Sequence, residues 1–195
     1  VICDFYRTKD VENGPYERIE GTFDFWDPNI FADDDGRVYF YWGCSCQTPV
    51  WGVELDPKTL RPLYERKILI TGDPFEKGYE RVGEDHSRNP LTEEEIDIGY
   101  EQFLKETGRK KEEVAPLEEG FIRGGIIGNR PFIEGAWMTK HNGLYYLQYA
   151  ATGAEYNVYC DGCYVSEYPL GPFRLAKNNP YSYKPGGFLP GAGHG

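Results

Sequence analysis

The chain has 195 residues, 39% hydrophobic and 16% aromatic (16 Tyr, 11 Phe, 4 Trp), and a formal net charge of −11. Its length and apolar content suffice for one domain with a real core and exclude a disordered chain. The acidic balance argues against a nucleic-acid partner, which needs clustered Lys and Arg, and against an anionic membrane surface, and no apolar run approaches transmembrane length. A neutral partner fits better. Aromatics favour strands while 24 Gly and 14 Pro punctuate turns, so an all-β fold is expected.

In chain order, Val1-Ile2-Cys3 reads as the middle of a strand that runs to Tyr6. Gly14-Pro15-Tyr16-Glu17 then closes that unit. Asp27-Pro28-Asn29-Ile30-Phe31 begins a fresh strand, and Asp35-Gly36 predicts a tight hairpin, because both central positions favour positive φ. An aromatic strand to Trp42 and a third strand, Val50 to Leu55, follow.

Residues 73–125 break the pattern, being long, polar and charged. Thr92 to Glu95 forms a capping box that opens a helix. Ile96, Tyr100, Phe103 and Leu104 give that helix one apolar stripe, and Gly108 can end it. Gly99 weakens the helix slightly. This stretch is expected to be a helical insertion, more a solvated decoration than a wall of a pocket.

Glu134-Gly135-Ala136-Trp137 opens another strand, Asn142-Gly143 another hairpin, and an aromatic strand runs through Tyr149. Cys163 to Glu167 gives a further strand. Gly171-Pro172-Phe173-Arg174 repeats the earlier Gly-Pro exit, and Gly193-His194-Gly195 begins a new unit.

Two of these units are in register. Asp27 stands nine residues before Gly36, and Glu134 stands nine residues before Gly143. Four-strand units that repeat around an axis make a β-propeller, whose first strands line a central channel, so matched carboxylates at its mouth would converge. Of the 5 cysteines, Cys44, Cys46, Cys160 and Cys163 offer either a four-thiolate zinc set or simply small apolar residues beside strands.

Asp27-Pro28-Asn29 with Asp33-Asp34-Asp35-Gly36 resembles the second-blade motif of glycoside hydrolase family 43, and Glu134-Gly135-Ala136-Trp137 with Asn142-Gly143 resembles its third-blade motif. The family usually has Pro where this chain has Ala136. The resemblance implies a five-bladed β-propeller, of which residues 1–195 would form one partial domain with about two complete blades and the insertion at 73–125. It implies an inverting hydrolase of arabinofuranosyl, xylosyl or galactosyl linkages in polysaccharides. Glu134 would be the general acid and Asp27 its pKa modulator. His194, at the start of a fourth blade, would face the axis and help hold a structural calcium ion, partly through water. The base aspartate of the first blade is not found here, and Asp4 and Asp24 lack the context to replace it. Trp26-Asp27-Pro28-Asn29 also echoes the nucleophile stretch of invertase-like enzymes, but their Arg-Asp-Pro and Glu-Cys partners are missing.

Bond cleavage needs a proton on the leaving oxygen and an activated water at the anomeric carbon. A free Glu titrates near about 4.3, so a donor at neutral pH needs burial or a neighbouring carboxylate, which Asp27 would supply. The alternative for Glu134 is a salt bridge to Arg130, and the alternative for Asp27 is a turn cap. Trp26 and Trp137, beside the two carboxylates, either stack on sugar faces or fill the core. The alternative function is a non-catalytic carbohydrate-binding or structural propeller piece, its remaining blades supplied by the same or another chain. The substrate class alone favours a secreted or periplasmic place.

Overall fold

The computed structural model describes residues 4–43, 49–128, 133–183 and 193–194. Strands β1 (Phe5–Arg7) and β2 (Glu17–Ile19) form a short antiparallel pair. Strands β3 (Asn29–Ala32), β4 (Val38–Trp42), β5 (Val50–Leu55) and β6 (Lys67–Ile70) form a four-stranded antiparallel meander. After helices α1 (Glu93–Thr107) and α2 (Pro116–Phe121), a second meander follows, made of β7 (Ile133–His141), β8 (Leu144–Ala151), β9 (Cys160–Ser166) and β10 (Arg174–Leu175). The two four-strand units expected from the repeat are therefore two four-stranded sheets of the same connectivity.

The two hairpins differ in their turns. Asn142 (φ +49) and Gly143 (φ +76) are both left-handed, so β7 and β8 are joined by the expected two-residue turn. At the first hairpin only Gly36 (φ +83) is left-handed, and the loop runs over residues 33–37. There the Gly36 amide donates to the Asp33 carbonyl at 3.0 Å. This is a longer loop that ends in a left-handed glycine, and the Asp33 amide still donates across it to the Arg37 carbonyl at 2.9 Å.

The main core lies between the sheets. Tyr39, Tyr41, Val50 and Ile70 of the first pack on Ile133, Met138, Tyr145, Leu147, Tyr149 and Ala151 of the second. Alternation explains the choice: Tyr145, Leu147 and Tyr149 share one face of β8 and are buried. The opposite face of the first sheet carries Phe40, Trp42, Val53 and Leu55, covered by Phe5, Phe23 and Phe25. Trp42 is core. Trp51 is half-buried beneath the Arg66 guanidinium, 4.1 Å from its ring centroid.

Polar groups also join the sheets. Buried Asp33 takes the Tyr145 hydroxyl at 2.5 Å and pairs with the Lys140 ammonium. Burial alone would raise its carboxyl, but hydrogen bonds from Lys140, Tyr145 and the Asp34 amide outweigh that and hold it below the usual range.

The capping box at Thr92 is formed: its amide donates to the Glu95 carboxylate at 2.8 Å, and Gly108 ends α1 at φ +67. Tyr100, Phe103 and Leu104 pack on Val114, Ile122 and Ile127, in a cluster separate from the sheets. Gly99 has a positive reason to be glycine, since a Cβ there would meet the Ile127 side chain at 2.5 Å. The decoration is limited to this helical part. Upstream, fully buried Glu80 accepts from the Tyr149 hydroxyl at 2.6 Å and pairs with Lys77 at 3.3 Å, so residues around 77–82 belong to the core of the second sheet.

Candidate active site

The site lies where β3 and β7 begin, side by side. Asp27 sits two residues before β3 with a left-handed backbone (φ +54), a conformation Asp tolerates better than most residues. Its Oδ2 accepts the Gly135 amide at 2.9 Å. Two residues on, the buried Asn29 Oδ1 accepts the Met138 amide at 3.0 Å. Two side chains, one just before β3 and one at its first residue, thus bind the backbone of β7.

That backbone is free to be bound because β7 is the edge strand of its sheet, and near its start it also carries a bulge. Glu134 faces Ala150 and Trp137 faces Gln148, so Gly135 and Ala136 together oppose Tyr149. Gly135 takes φ +61 there. Bulges are among the few places inside a sheet that accept proline, so Ala136 and the Pro expected from the family suit the same backbone path.

The Glu134 carboxylate accepts a hydrogen bond from the Tyr159 hydroxyl. His194 completes the cluster. Its Nε2 lies 3.4 Å from Asp27 Oδ1, its Nδ1 lies 3.1 Å from the Tyr159 hydroxyl, and its amide donates to Asp161 Oδ1 at 2.7 Å. Asp27, Glu134 and His194 each bring one polar atom within 4.8 Å of the others. Burial first, then the Glu134 carboxylate, pushes the Tyr159 hydroxyl far up, so it remains a donor. The three residues named from the sequence therefore meet at one place, although they come from widely separated parts of the chain.

Trp26 and Trp137 are 53% and 52% exposed. Neither fills the core, and both are free to offer an apolar face beside the carboxylates. Asp4 pairs with Arg18 at 2.9 Å on the outside of the β1–β2 pair. Arg130, the alternative partner of Glu134, lies outside the described residues, as do Cys44 and Cys46.

Of the two readings of the cysteines, small apolar residues beside strands fits those that are described. Cys160 and Cys163 are three apart on strand β9, so alternation sends them to opposite faces. Cys160 joins the inter-sheet core, whereas Cys163 lies on the far face with Gln148 and Tyr181. Burial pushes their thiols up to about 12 and about 11, away from the thiolate that zinc needs.

Tyr159, Asn29 and Asp161 were not singled out in the sequence. Asn29 was within reach as the third residue of the Asp-Pro-Asn run. Tyr159 and Asp161 carry no local signal, because their partners are remote in the chain.

No protein-family model matches the chain. Among curated proteins it is similar to xylosidase/arabinosidase 43A of Humicola insolens, 31% identical over 169 residues, covering 84% of this chain and 46% of that protein. It is also similar to a β-xylosidase of Xylanibacter ruminicola, 28% identical over 171 residues, covering 84% and 44%. The chain thus spans less than half the length of these relatives. Among solved structures it is similar to a thermostable family-43 glycoside hydrolase, with a TM-score of 0.55, 21% identity, and coverage of 88% of this chain and 44% of that one. A second is a xylan β-1,4-xylosidase from Bacillus halodurans, with a TM-score of 0.58, 18% identity, and coverage of 98% and 28%. At these identities the structural likeness concerns the fold.

Proposed function

This chain belongs to glycoside hydrolase family 43, and on that premise we propose that it carries the proton-donating half of an inverting glycosidase. Its two four-stranded sheets are read as neighbouring blades of a five-bladed propeller, with β3 and β7 innermost. Glu134 is the general acid and Asp27 its modulator. The names of the relatives favour xylosyl or arabinofuranosyl linkages over galactosyl ones.

One observation carries this reading: carboxylate oxygens of Asp27 and Glu134 lie within 4.8 Å of each other at the matched starts of two adjacent sheets. That separation is shorter than the roughly 6.5–9.5 Å that leaves room for a water between acid and base. The pair therefore fits an acid with its tuner, and the base is a different residue. In the reaction the glycosidic C–O bond breaks, the leaving oxygen takes the Glu134 proton, and water adds to the anomeric carbon as it gives its own proton to the base. Trp26 and Trp137 supply faces on which sugar rings can stack.

The donor set does not fit a directly held calcium. Calcium takes 6–8 oxygen ligands. Here there are two carboxylates and one imidazole, and Asp27 Oδ2 and Glu134 Oε1 already accept protein hydrogen bonds. An ion near His194 would rest on water, and no step above needs one.

The test is hydrolysis of xylo- and arabino-oligosaccharides, whose leaving groups need a proton, by the full-length protein and its Glu134→Gln variant. Loss of at least about a hundredfold in kcat is expected, the ordinary contribution of a general acid. Full activity in the variant would refute the assignment.

A further inference from the structure

We propose that Tyr159 is a positioning residue for Glu134, holding the acid through a hydrogen-bond chain that runs from His194 through the tyrosine hydroxyl to the carboxylate. The inference rests on Glu134 being the general acid and adds a residue and a direction of hydrogen bonding to that reading.

The direction follows from counting protons. A phenol has a single hydrogen, and the Tyr159 hydroxyl donates it to Glu134 Oε1. Its oxygen, 3.1 Å from His194 Nδ1, is then left to accept, so the Nδ1–H of His194 points at Tyr159. The other ring nitrogen, Nε2, faces Asp27 Oδ1 at 3.4 Å. Nε2 can pair with Asp27 only when the ring is doubly protonated; the imidazolium would then give the two carboxylates a second link, separate from the backbone route through Gly135.

The surroundings are shaped to hold this chain. Tyr159 is buried, and a Cβ on Gly193 would stand 2.4 Å from its ring. A Cβ on Gly135 would stand 2.9 Å from the His194 ring. Glycine at both positions lets ring and backbone approach closely. Asp161, at the start of β9 and two residues from Tyr159, fixes the His194 amide at 2.7 Å, so one short stretch of chain orients both members. A tyrosine serving only as packing would not need its hydroxyl aimed at a carboxylate on another strand.

An acid held in one rotamer delivers its proton along one line, and its loss of orientation matters most where the leaving group needs that proton most. Tyr159→Phe keeps the ring and removes only the hydroxyl. In the full-length protein, we expect kcat on a xylo- or arabino-oligosaccharide to fall about tenfold to a hundredfold, with KM nearly unchanged. The fall should be much smaller on a nitrophenyl glycoside, whose leaving group needs little protonation. The alkaline limb of the pH profile should move upward, because a donor to the charged carboxylate has gone.

Equal falls on both substrates with an unmoved pH limb would overturn the inference. Glu134→Gln, run alongside, separates the two claims. If it is inactive while Tyr159→Phe behaves as wild type, only the role of Tyr159 fails. If it is fully active, the assignment of the acid fails first.

Discussion

The Asp27 carboxylate and the Gly135 amide are joined by a 2.9 Å hydrogen bond across two sheets. One acidic side chain is thereby both a charge beside Glu134 and a clamp on the residue that follows Glu134. These two roles can be separated by substitution.

Asp27→Asn retains an oxygen to accept the Gly135 amide and loses the charge. A like charge nearby favours the protonated acid, so its removal should move the alkaline limb of the activity profile to lower pH, with kcat down at least about tenfold at neutral pH. Asp27→Ala loses the clamp as well and should cost about 1–3 kcal/mol of stability, because the Gly135 amide is left without its acceptor. Profiles of rate against pH, with urea melts of both variants, check the distinction. Identical profiles for wild type and Asp27→Asn would remove the tuning role.

Much of this pairing was legible beforehand, for a physical reason. A hairpin turn needs glycine at a fixed place, so Gly36 and Gly143 mark corresponding turns, and a residue nine positions upstream falls near the start of the strand before each, although the longer first loop and the β7 bulge keep the two ladders from matching residue for residue. The capping box at Thr92 was legible because it is local. Tyr159 and Glu80 were not, since nothing within a few residues of either indicates a partner on another strand. The spacing of Cys160-x-x-Cys163 leaves a metal loop and a strand both open, and the strand sends the two thiols to opposite faces. Gly99 misled: helix propensity counts its cost and cannot see Ile127 packed against it.

Gly135→Ala tests the bulge. Left-handed backbone costs a non-glycine residue roughly 1–2 kcal/mol, and the added methyl would also strike the His194 ring at 2.9 Å. Gly36→Ala is the control, since Gly36 has φ +83 but nothing within 4 Å. Both variants should lose comparable stability from the backbone, but only Gly135→Ala should lose activity, by at least about tenfold through displacement of the clustered groups. Thermal melts with parallel rate measurements decide this. Equal activity in the two variants would show that the His194 approach is immaterial.

Glu80 and Lys77 form a buried ion pair in the core of the second sheet. Burial first pushes the Glu80 carboxyl up, against the pull of Lys77 and the Tyr149 hydroxyl. Glu80→Ala leaves an ammonium buried without its counter-charge and should cost about 3–5 kcal/mol in urea unfolding. Adding Lys77→Met should restore a good part of that, because the double variant no longer buries a lone charge. A double variant as unstable as the sum of both singles would mean that the pair acts through packing alone.

Asp33 gives the pH dependence its sign. Its folded carboxyl is held below the ordinary value, which is near 3.9 in an unfolded chain. A depressed acid stabilises the fold above that ordinary value, and the contribution is lost as pH falls through the lowered one. Stability of the wild type should therefore drop as pH is taken from about 5 to about 2, as the Lys140 and Tyr145 contacts lose their charged acceptor. Asp33→Asn removes this titration, so it should be less stable at pH 7 yet lose less on acidification. Urea midpoints for both proteins across that interval measure the difference. Parallel losses in the two would place the acid sensitivity elsewhere, since Asp33 is the buried carboxylate that ties the first hairpin to the second sheet.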